Sequence, residues 1–212
     1  MPAGFCIGTW QMGPSHGFWE GRSKSDLTKA FHYLLRHGAA CIDTAQAYGN
    51  GASEQFIAAQ LKFLSREIPR ERLFISTKIM PGPTDPEKLV LKSLRRLHLD
   101  WIDAVYLHWP NYYIDQFQYL EKLTRLVDCG IIKTIGLSNY TSQEAIDFVG
   151  RFPISLFQRP ISLAWSKDLE ADRAFCSRYN LTLVGYSPLA MGLLASQRLD
   201  YEDSRKDLYC LQ

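Results

Sequence analysis

Six apolar runs in this sequence each end on a polar or titratable side chain. A carboxylate, an ammonium and an imidazole can hold or exchange protons, whereas amides, hydroxyls and phenols hydrogen-bond neutral ligands. In chain order these ends carry Asp43, Lys78, His108, Ser138 with Asn139, Gln158 and Tyr186. If the fold brings the ends together, one face of the protein combines acid–base chemistry with ligand binding.

Each of these residues alone also has a purely structural interpretation. Asp43 could cap the turn that follows it, and Lys78 could extend its ammonium to water from a strand end. His108 could be a hydrogen-bonded core histidine, and Tyr186 could be a core aromatic. Six successive strand ends with such groups favour a shared site over six separate coincidences.

The apolar runs that carry these residues read as strands without a regular polar alternation, which is typical of strands covered on both faces by helices. Seven strands are predicted, over residues 5–9, 39–45, 73–78, 102–108, 131–138, 154–158 and 181–187. Six helices alternate with them, and four of these begin near Ser23, Ser53, Thr84 and Thr141. The other two are the fourth and sixth helices in chain order. The fourth carries Leu120, Leu123 and Val127, and the sixth spans residues 167–179.

Strict alternation of strand and helix predicts a parallel sheet. No Gly-x-Gly-x-x-Gly pattern follows the first strand, which weakens a doubly wound dinucleotide fold. An α/β fold of the (β/α)8 TIM-barrel type is favoured, and it explains why the polar residues lie at strand ends. The carboxyl ends of barrel strands meet at one face, where active sites lie.

Composition limits the alternatives further. The 212 residues are 46% hydrophobic, with a formal net charge of +2. This length and apolar fraction suit one domain, and the charge balance does not favour a nucleic-acid partner. The five cysteines are scattered without Cys-x-x-Cys spacing, so we expect reduced thiols, no zinc site and a cytoplasmic location. No membrane span and no His/Cys/Asp metal cluster are predicted.

Short motifs in the same segments resemble the aldo-keto reductase family. Residues 43–54 resemble its signature Asp-Thr-Ala-x-x-Tyr-Gly with the Gly-x-Ser-Glu continuation. The other similar segments, in the family's order, are residues 8–10, 76–78, 107–110, 136–139 and 186–189. The ordered set spans nearly the whole chain and is far more specific than any single motif.

The resemblance implies a catalytic tetrad of Tyr48, Asp43, Lys78 and His108 that reduces an aldehyde or ketone. Tyr48 would be the general acid. Because a free phenol titrates near ~10, we expect Lys78, paired with Asp43, to lower the pKa of Tyr48. His108 would hydrogen-bond the carbonyl oxygen of the substrate.

The same resemblance implies that NADP(H) is the cofactor. Ser138, Asn139 and Gln158 would bind its carboxamide and Tyr186 would stack on the nicotinamide ring, with Ser187 and Leu189 near the pyrophosphate. The full set of expected cofactor residues is Thr9, Trp10, Asp43, Ser138, Asn139, Gln158, Tyr186, Ser187, Pro188 and Leu189. The expected substrate-binding residues are Trp10, Trp19, Tyr48, His108 and Trp109.

Residues 1–212 are interpreted as a single aldo-keto reductase-like barrel domain that lacks the final strand and helices of the family. Seven strands cannot close an eight-stranded barrel, so we expect an open seam between Gly8 and Tyr186. We find no counterpart of the segment that binds the adenosine 2′-phosphate in the family. The preference for NADP over NAD is therefore implied by the resemblance to the family alone. The substrate, the direction of reaction and the oligomeric state are left open.

Two other functions remain compatible with these motifs. One is a nicotinamide-binding regulatory subunit, similar to the β subunits of voltage-gated potassium channels, which share the fold and the tetrad. The other is an inactive barrel fragment. Turnover of NADPH with an activated aldehyde distinguishes the enzyme from both.

Overall fold

The structure is a computed structural model that describes residues 4–13 and 23–195. Seven parallel strands form one sheet in these residues, and each strand pairs with the next one along the chain. They are β1 (Cys6–Gly8), β2 (Cys41–Asp43), β3 (Phe74–Ile79), β4 (Ile102–Leu107), β5 (Ile132–Ser138), β6 (Ile154–Pro160) and β7 (Thr182–Tyr186). The predicted strands and their parallel arrangement are confirmed, although β1 and β2 are shorter than expected and β6 is longer.

Within the described ranges, six α-helices connect these strands. They are α1 (Lys24–Arg36), α2 (Ala52–Leu64), α3 (Pro86–Leu97), α4 (Gln116–Asp128), α5 (Ser142–Ala145) and α6 (Leu169–Tyr179). None of the helices in the described ranges is long and apolar enough to cross a membrane.

Two of the predicted helix starts are confirmed in atomic detail. The Ser23 hydroxyl accepts a hydrogen bond from the Asp26 amide, and Thr141 and Glu144 form a complete capping box. The helix predicted after Thr84 is also confirmed, with Asp85 as the residue that caps it. The expected Ser53 cap was wrong, because Ser53 lies inside α2 with its hydroxyl bonded to Thr9.

The core lies between the sheet and the helices. Every residue of β4 is buried, as expected for a central strand covered on both faces. The main apolar cluster joins strand residues such as Ile75 and Val105 to helix residues such as Leu94 and Leu120. Inside the curved sheet, Ala104, Tyr106, Leu156 and Val184 form a second, smaller cluster.

The two edge strands are β1 and β7. Across the described residues neither has a partner on its outer side, so the seven strands make a nearly closed TIM-barrel-type fold. Two of the five residues of β7, Thr182 and Gly185, are exposed, in contrast to the fully buried β4. The predicted seam between the first and seventh strands is therefore present.

The cysteines contradict the expectation of reduced thiols. Cys6 and Cys41 lie opposite each other on β1 and β2, with Cα atoms 4.5 Å apart, and are joined by a disulfide. Spacing along the chain could not show this pair, because strand pairing brings together residues that are 35 positions apart. Cys129 and Cys176 are free. The disulfide removes one argument for a cytoplasmic location, which stays a prediction.

Candidate active site

Four side chains of the predicted tetrad converge at the carboxyl ends of the strands. Asp43 ends β2, Lys78 is the penultimate residue of β3, and His108 follows β4 directly. Tyr48 comes from the loop after β2, and its ring lies edge-on to the imidazole of His108 with centroids 5.8 Å apart. The loop is tied to the sheet, since the amide of Gln46 donates to the Lys78 carbonyl at 3.0 Å.

A buried ion pair lies at the centre of this group. The Lys78 ammonium, 2% exposed, donates to the Asp43 carboxylate and to the Thr44 carbonyl at 2.9 Å. Burial is the largest single influence and disfavours the charge, but Asp43 and Tyr48 together outweigh it and raise the pKa of Lys78. Ser76 donates to the other carboxylate oxygen of Asp43 at 2.6 Å. The carboxylate is therefore held in one orientation and the ammonium keeps its proton.

The same ammonium reaches Tyr48. Lys78 Nζ donates to the Tyr48 hydroxyl oxygen at 3.3 Å and lies 5.1 Å from the centre of its ring. Burial raises the pKa of Tyr48 above its ordinary value, and Lys78 opposes that shift without reversing it. The expected net lowering was therefore wrong. Desolvation of the phenolate is the larger effect, while the lysine acts in the predicted direction.

His108 is neutral near pH 7. Burial and the positive charge of Lys78 lower the pKa of His108 from 6.5 to about 4, against the opposing charge of Asp43. Its Nδ1 atom is buried and has no hydrogen-bond partner among the described residues. The ring can therefore donate a hydrogen bond near neutral pH, but it carries no spare proton for acid catalysis.

The predicted cofactor residues of β5, β6 and β7 form one hydrogen-bonded cluster. The Ser138 hydroxyl donates to Gln158 Oε1 at 3.0 Å, and the Tyr186 hydroxyl donates to Asn139 Oδ1 at 2.6 Å. Asn139 adopts a left-handed backbone conformation, and its side-chain amide donates to the His108 carbonyl at 2.9 Å. Gln158 also donates to Asp43 at 3.3 Å, so the cluster adjoins the tetrad.

The remaining predicted residues lie in different settings. Thr9 is fully buried, and its hydroxyl donates to the Asp43 carbonyl at 2.9 Å. Thr9 therefore holds the backbone of Asp43 and lines no exposed surface of the site. Trp10 and Trp109 are 42% and 45% exposed, and the Trp10 ring lies 6.3 Å from that of Tyr48. The loop of Ser187, Pro188 and Leu189 directly follows β7. Trp19 lies outside the described residues.

Two features of the site were missed in the sequence. Ser76 lies two residues before Lys78 on β3, so both side chains leave the same face of the strand, and the period of two could have indicated it. Ser53 was assigned to helix capping. Instead it donates to Thr9 at 2.8 Å and accepts from Thr44 at 3.0 Å, which joins α2 to the ends of β1 and β2.

Among the residues that the structure describes, no three His, Cys, Asp or Glu side chains are grouped in a way that could hold a metal ion. The tetrad and its neighbours offer groups for proton transfer and hydrogen bonding. A phenol that keeps its proton, a neutral imidazole and a buried ammonium at one strand edge suit protonation of an oxygen that gains negative charge.

Comparison with known proteins places this geometry in a family. The sequence model of the Aldo/keto reductase family matches residues 5–208. The aldo-keto reductase YhdN of Bacillus subtilis is 27% identical over 202 residues, which are 90% of this chain and 60% of YhdN. Methylglyoxal reductase DkgA of Escherichia coli is 33% identical over 183 residues, which are 83% of this chain and 62% of DkgA. The chain thus spans about 60% of the length of these relatives.

The solved structures agree with the sequence comparison. An aldo-keto reductase from Klebsiella pneumoniae, crystallised in complex with NADPH, superimposes with a TM-score of 0.74 at 26% identity. The match covers 87% of this chain and 63% of the Klebsiella chain. The family model, the relatives and the fold all lead to the same conclusion: this chain belongs to the aldo/keto reductase family.

Proposed function

We propose that this chain is an oxidoreductase that uses NADP(H) to reduce a small aldehyde or ketone, with Tyr48 as the general acid. The observation that carries the proposal is the contact of 3.3 Å between the Lys78 ammonium and the Tyr48 hydroxyl, next to the Asp43 carboxylate. The relatives support the reaction class, since DkgA is named a methylglyoxal reductase and the Klebsiella enzyme was crystallised with NADPH.

Tyr48 supplies the proton to the oxygen of the carbonyl. Its raised pKa means that the phenol is fully protonated near pH 7, as a donor must be. When the proton leaves, the phenolate forms beside the Lys78 ammonium, which stabilises the new negative charge. Asp43 keeps the ammonium in place and charged, so the lysine favours transfer without itself giving up a proton.

His108 orients the substrate. Because its imidazole is neutral, it donates one hydrogen bond toward the carbonyl oxygen and leaves proton transfer to the phenol. A well-placed donor to an oxygen that gains negative charge contributes roughly 3 kcal/mol to the transition state. The T-shaped contact between the two rings, with centroids 5.8 Å apart, keeps the imidazole next to the phenol.

The cluster of β5 to β7 fits a nicotinamide cofactor. A carboxamide has both donors and acceptors, and Ser138, Asn139 and Gln158 offer both at adjacent strand ends. These residues would bind the carboxamide, the Tyr186 ring would face the nicotinamide, and Ser187 to Leu189 would lie toward the pyrophosphate. The bound cofactor supplies the hydride for the carbonyl carbon.

The substrate is proposed to enter between the exposed indoles of Trp10 and Trp109. Both residues are more than a third exposed and come just after β1 and β4, and the Trp10 ring lies 6.3 Å from that of Tyr48. An apolar lining of this kind suits an aldehyde or ketone with a short aliphatic or aromatic group.

The direct test is incubation of the chain with NADPH and an activated aromatic aldehyde such as 4-nitrobenzaldehyde, with loss of the reduced-nicotinamide absorbance as the signal. Steady turnover that is absent without aldehyde supports the proposal. NADPH binding without turnover supports the regulatory-subunit alternative instead, and neither binding nor turnover supports an inactive fragment.

A further inference from the structure

The backbone that follows Tyr48 has an unusual conformation. Gly49, Asn50 and Gly51 have φ angles of 57°, 51° and 92°, so three consecutive residues occupy the left-handed region. Glycine adopts this region freely, but Asn50 does so at some conformational cost. The turn connects Tyr48 to the start of α2. Because it is not an intrinsically favoured conformation, contacts from outside the turn are needed to hold it.

Arg96 of α3 provides such contacts from a distant part of the sequence. Its Nη2 donates to the Asn50 carbonyl at 2.9 Å. The guanidinium lies directly against Gly51, since a Cβ atom there would come within 2.2 Å of the Arg96 Cζ. The flat guanidinium of Arg96 thus occupies the space left by the missing side chain of Gly51 and donates a hydrogen bond to the Asn50 carbonyl.

The guanidinium is itself anchored to a buried carboxylate. Arg96 Nη1 donates at 3.3 Å to Glu54, whose side chain is fully buried in α2. The other oxygen of Glu54 accepts from the Thr77 hydroxyl at 2.8 Å. Thr77 is the neighbour of Lys78 on β3 and points to the opposite face. One chain of contacts therefore runs from the turn after Tyr48 to the strand of Lys78.

We propose that Arg96 is a positioning residue for the proton donor, which it holds against Lys78 by bracing the left-handed turn through Asn50 and Glu54. This inference rests on the proposed function insofar as it concerns turnover. The position of the Tyr48 hydroxyl can be measured separately, whether or not the chain reduces an aldehyde.

The contacts of Arg96 act by holding the backbone of the turn after Tyr48 in one conformation. Without the Arg96 contact, Asn50 can leave the left-handed region, and the loop that carries Tyr48 loses its fixed path into α2. The Tyr48 hydroxyl then moves away from the titratable groups that face it, which are Lys78, Asp43, His108 and Tyr186, and becomes exposed to water. An error of about 1 Å in the position of a reacting group can lower a rate by roughly 100-fold.

The test compares Arg96→Met with Arg95→Met, a matched control on the same helix whose arginine is exposed. Tyrosines are labelled with ¹³C at Cζ, the Tyr48 resonance is assigned with Tyr48→Phe, and each folded variant is titrated by NMR. We expect the pKa of Tyr48 to fall toward its ordinary value in Arg96→Met, because burial is what raises it. In Arg95→Met it should equal that of the parent.

A second readout is catalysis. Arg96→Met should lower turnover by about 10- to 100-fold with unchanged affinity for NADPH, and Arg95→Met should not. Should the unpaired Glu54 carboxylate prevent folding of Arg96→Met, the double variant Arg96→Met/Glu54→Gln and the single variant Arg96→Lys undergo the same titration. A Tyr48 resonance that titrates as in the parent in the folded Arg96 variants would overturn the proposal. If the parent has no reductase activity, the titration still decides the matter.

Discussion

The ammonium of Lys78 lies 3.3 Å from the hydroxyl of Tyr48, while burial and the lysine act on that phenol in opposite directions. Burial raises the pKa of Tyr48 and is the larger effect, so the phenol keeps its proton near pH 7. Lys78 lowers the same pKa and reduces the free energy needed to form the phenolate. The two effects together give a phenol that is protonated at rest and can transfer its proton beside a fixed positive charge.

Replacement of Lys78 separates the two effects. In Lys78→Met the phenol stays buried and loses the nearby cation, so we expect the pKa of Tyr48 to rise further and turnover to fall across the neutral range. The measurement is the ¹³Cζ titration of Tyr48, with Lys92→Met on the exposed face of α3 as the control. Because Asp43 would be left unpaired, Asp43→Asn/Lys78→Met is measured too. A Tyr48 pKa at or below the parent value would refute this electrostatic role.

Replacement of His108 tests the hydrogen bond to the carbonyl. His108→Ala removes the donor and should lower turnover by about 100- to 1,000-fold, the usual effect of one lost donor to a developing oxyanion. His108→Gln retains an N–H group and should lose less. Steady-state rates with one aldehyde give the comparison. Equal losses in the two variants would mean that orientation of the carbonyl is not the role of His108.

The buried imidazole should also make the fold sensitive to acid. His108 titrates near 6.5 in an unfolded chain and at about 4 in the folded one. Between these values the unfolded chain binds more protons, so the free energy of unfolding falls as the pH is lowered, by up to about 3 kcal/mol. Urea unfolding of the parent and of His108→Gln at several pH values checks this. The stability advantage of the parent over the variant should shrink toward pH 4, and a constant difference would contradict the shifted pKa.

The interior of the barrel should not tolerate a methyl group at Gly136. A Cβ atom there would lie 2.3 Å from the ring of Tyr106, which is buried beside Lys78 on the neighbouring strand. We expect Gly136→Ala to lower the free energy of unfolding by about 1–3 kcal/mol, as overpacked cores do. Gly8→Ala is the matched control, since nothing lies within 4 Å of its added Cβ. Equal urea midpoints for the two variants would show that the ring of Tyr106 can move aside.

The sequence was sufficient for the strands and for the groups at their ends. Asp43, Lys78 and His108 could be placed at one face because strand periodicity fixes which residues end a strand, and a parallel barrel fixes where those ends meet. The resemblance of residues 43–54 to the family signature then indicated that the loop after β2 carries the remaining tetrad residue, Tyr48. These inferences needed local pattern and topology, both of which the sequence carries.

Interactions between distant segments could not be predicted in the same way. The sign of the Tyr48 shift depends on how much water reaches the phenol, which is a property of the packed site. The Cys6–Cys41 disulfide depends on the register of two strands, and the contact of Arg96 with Asn50 depends on how α3 packs against the turn. Arg95 and Arg96 are neighbouring arginines on one helix, and nothing in the sequence distinguishes the one that contacts the turn.

The most direct test of the account is the Tyr48→Phe variant, which removes one hydroxyl and leaves the ring in place. NADPH affinity, measured by fluorescence titration, should equal that of the parent, since Tyr48 is not among the proposed cofactor residues. Turnover of the aldehyde at saturating NADPH should fall by about two to four orders of magnitude, the usual contribution of a positioned acid. Turnover within a few-fold of the parent, with the variant folded and NADPH bound, would contradict Tyr48 as the proton donor.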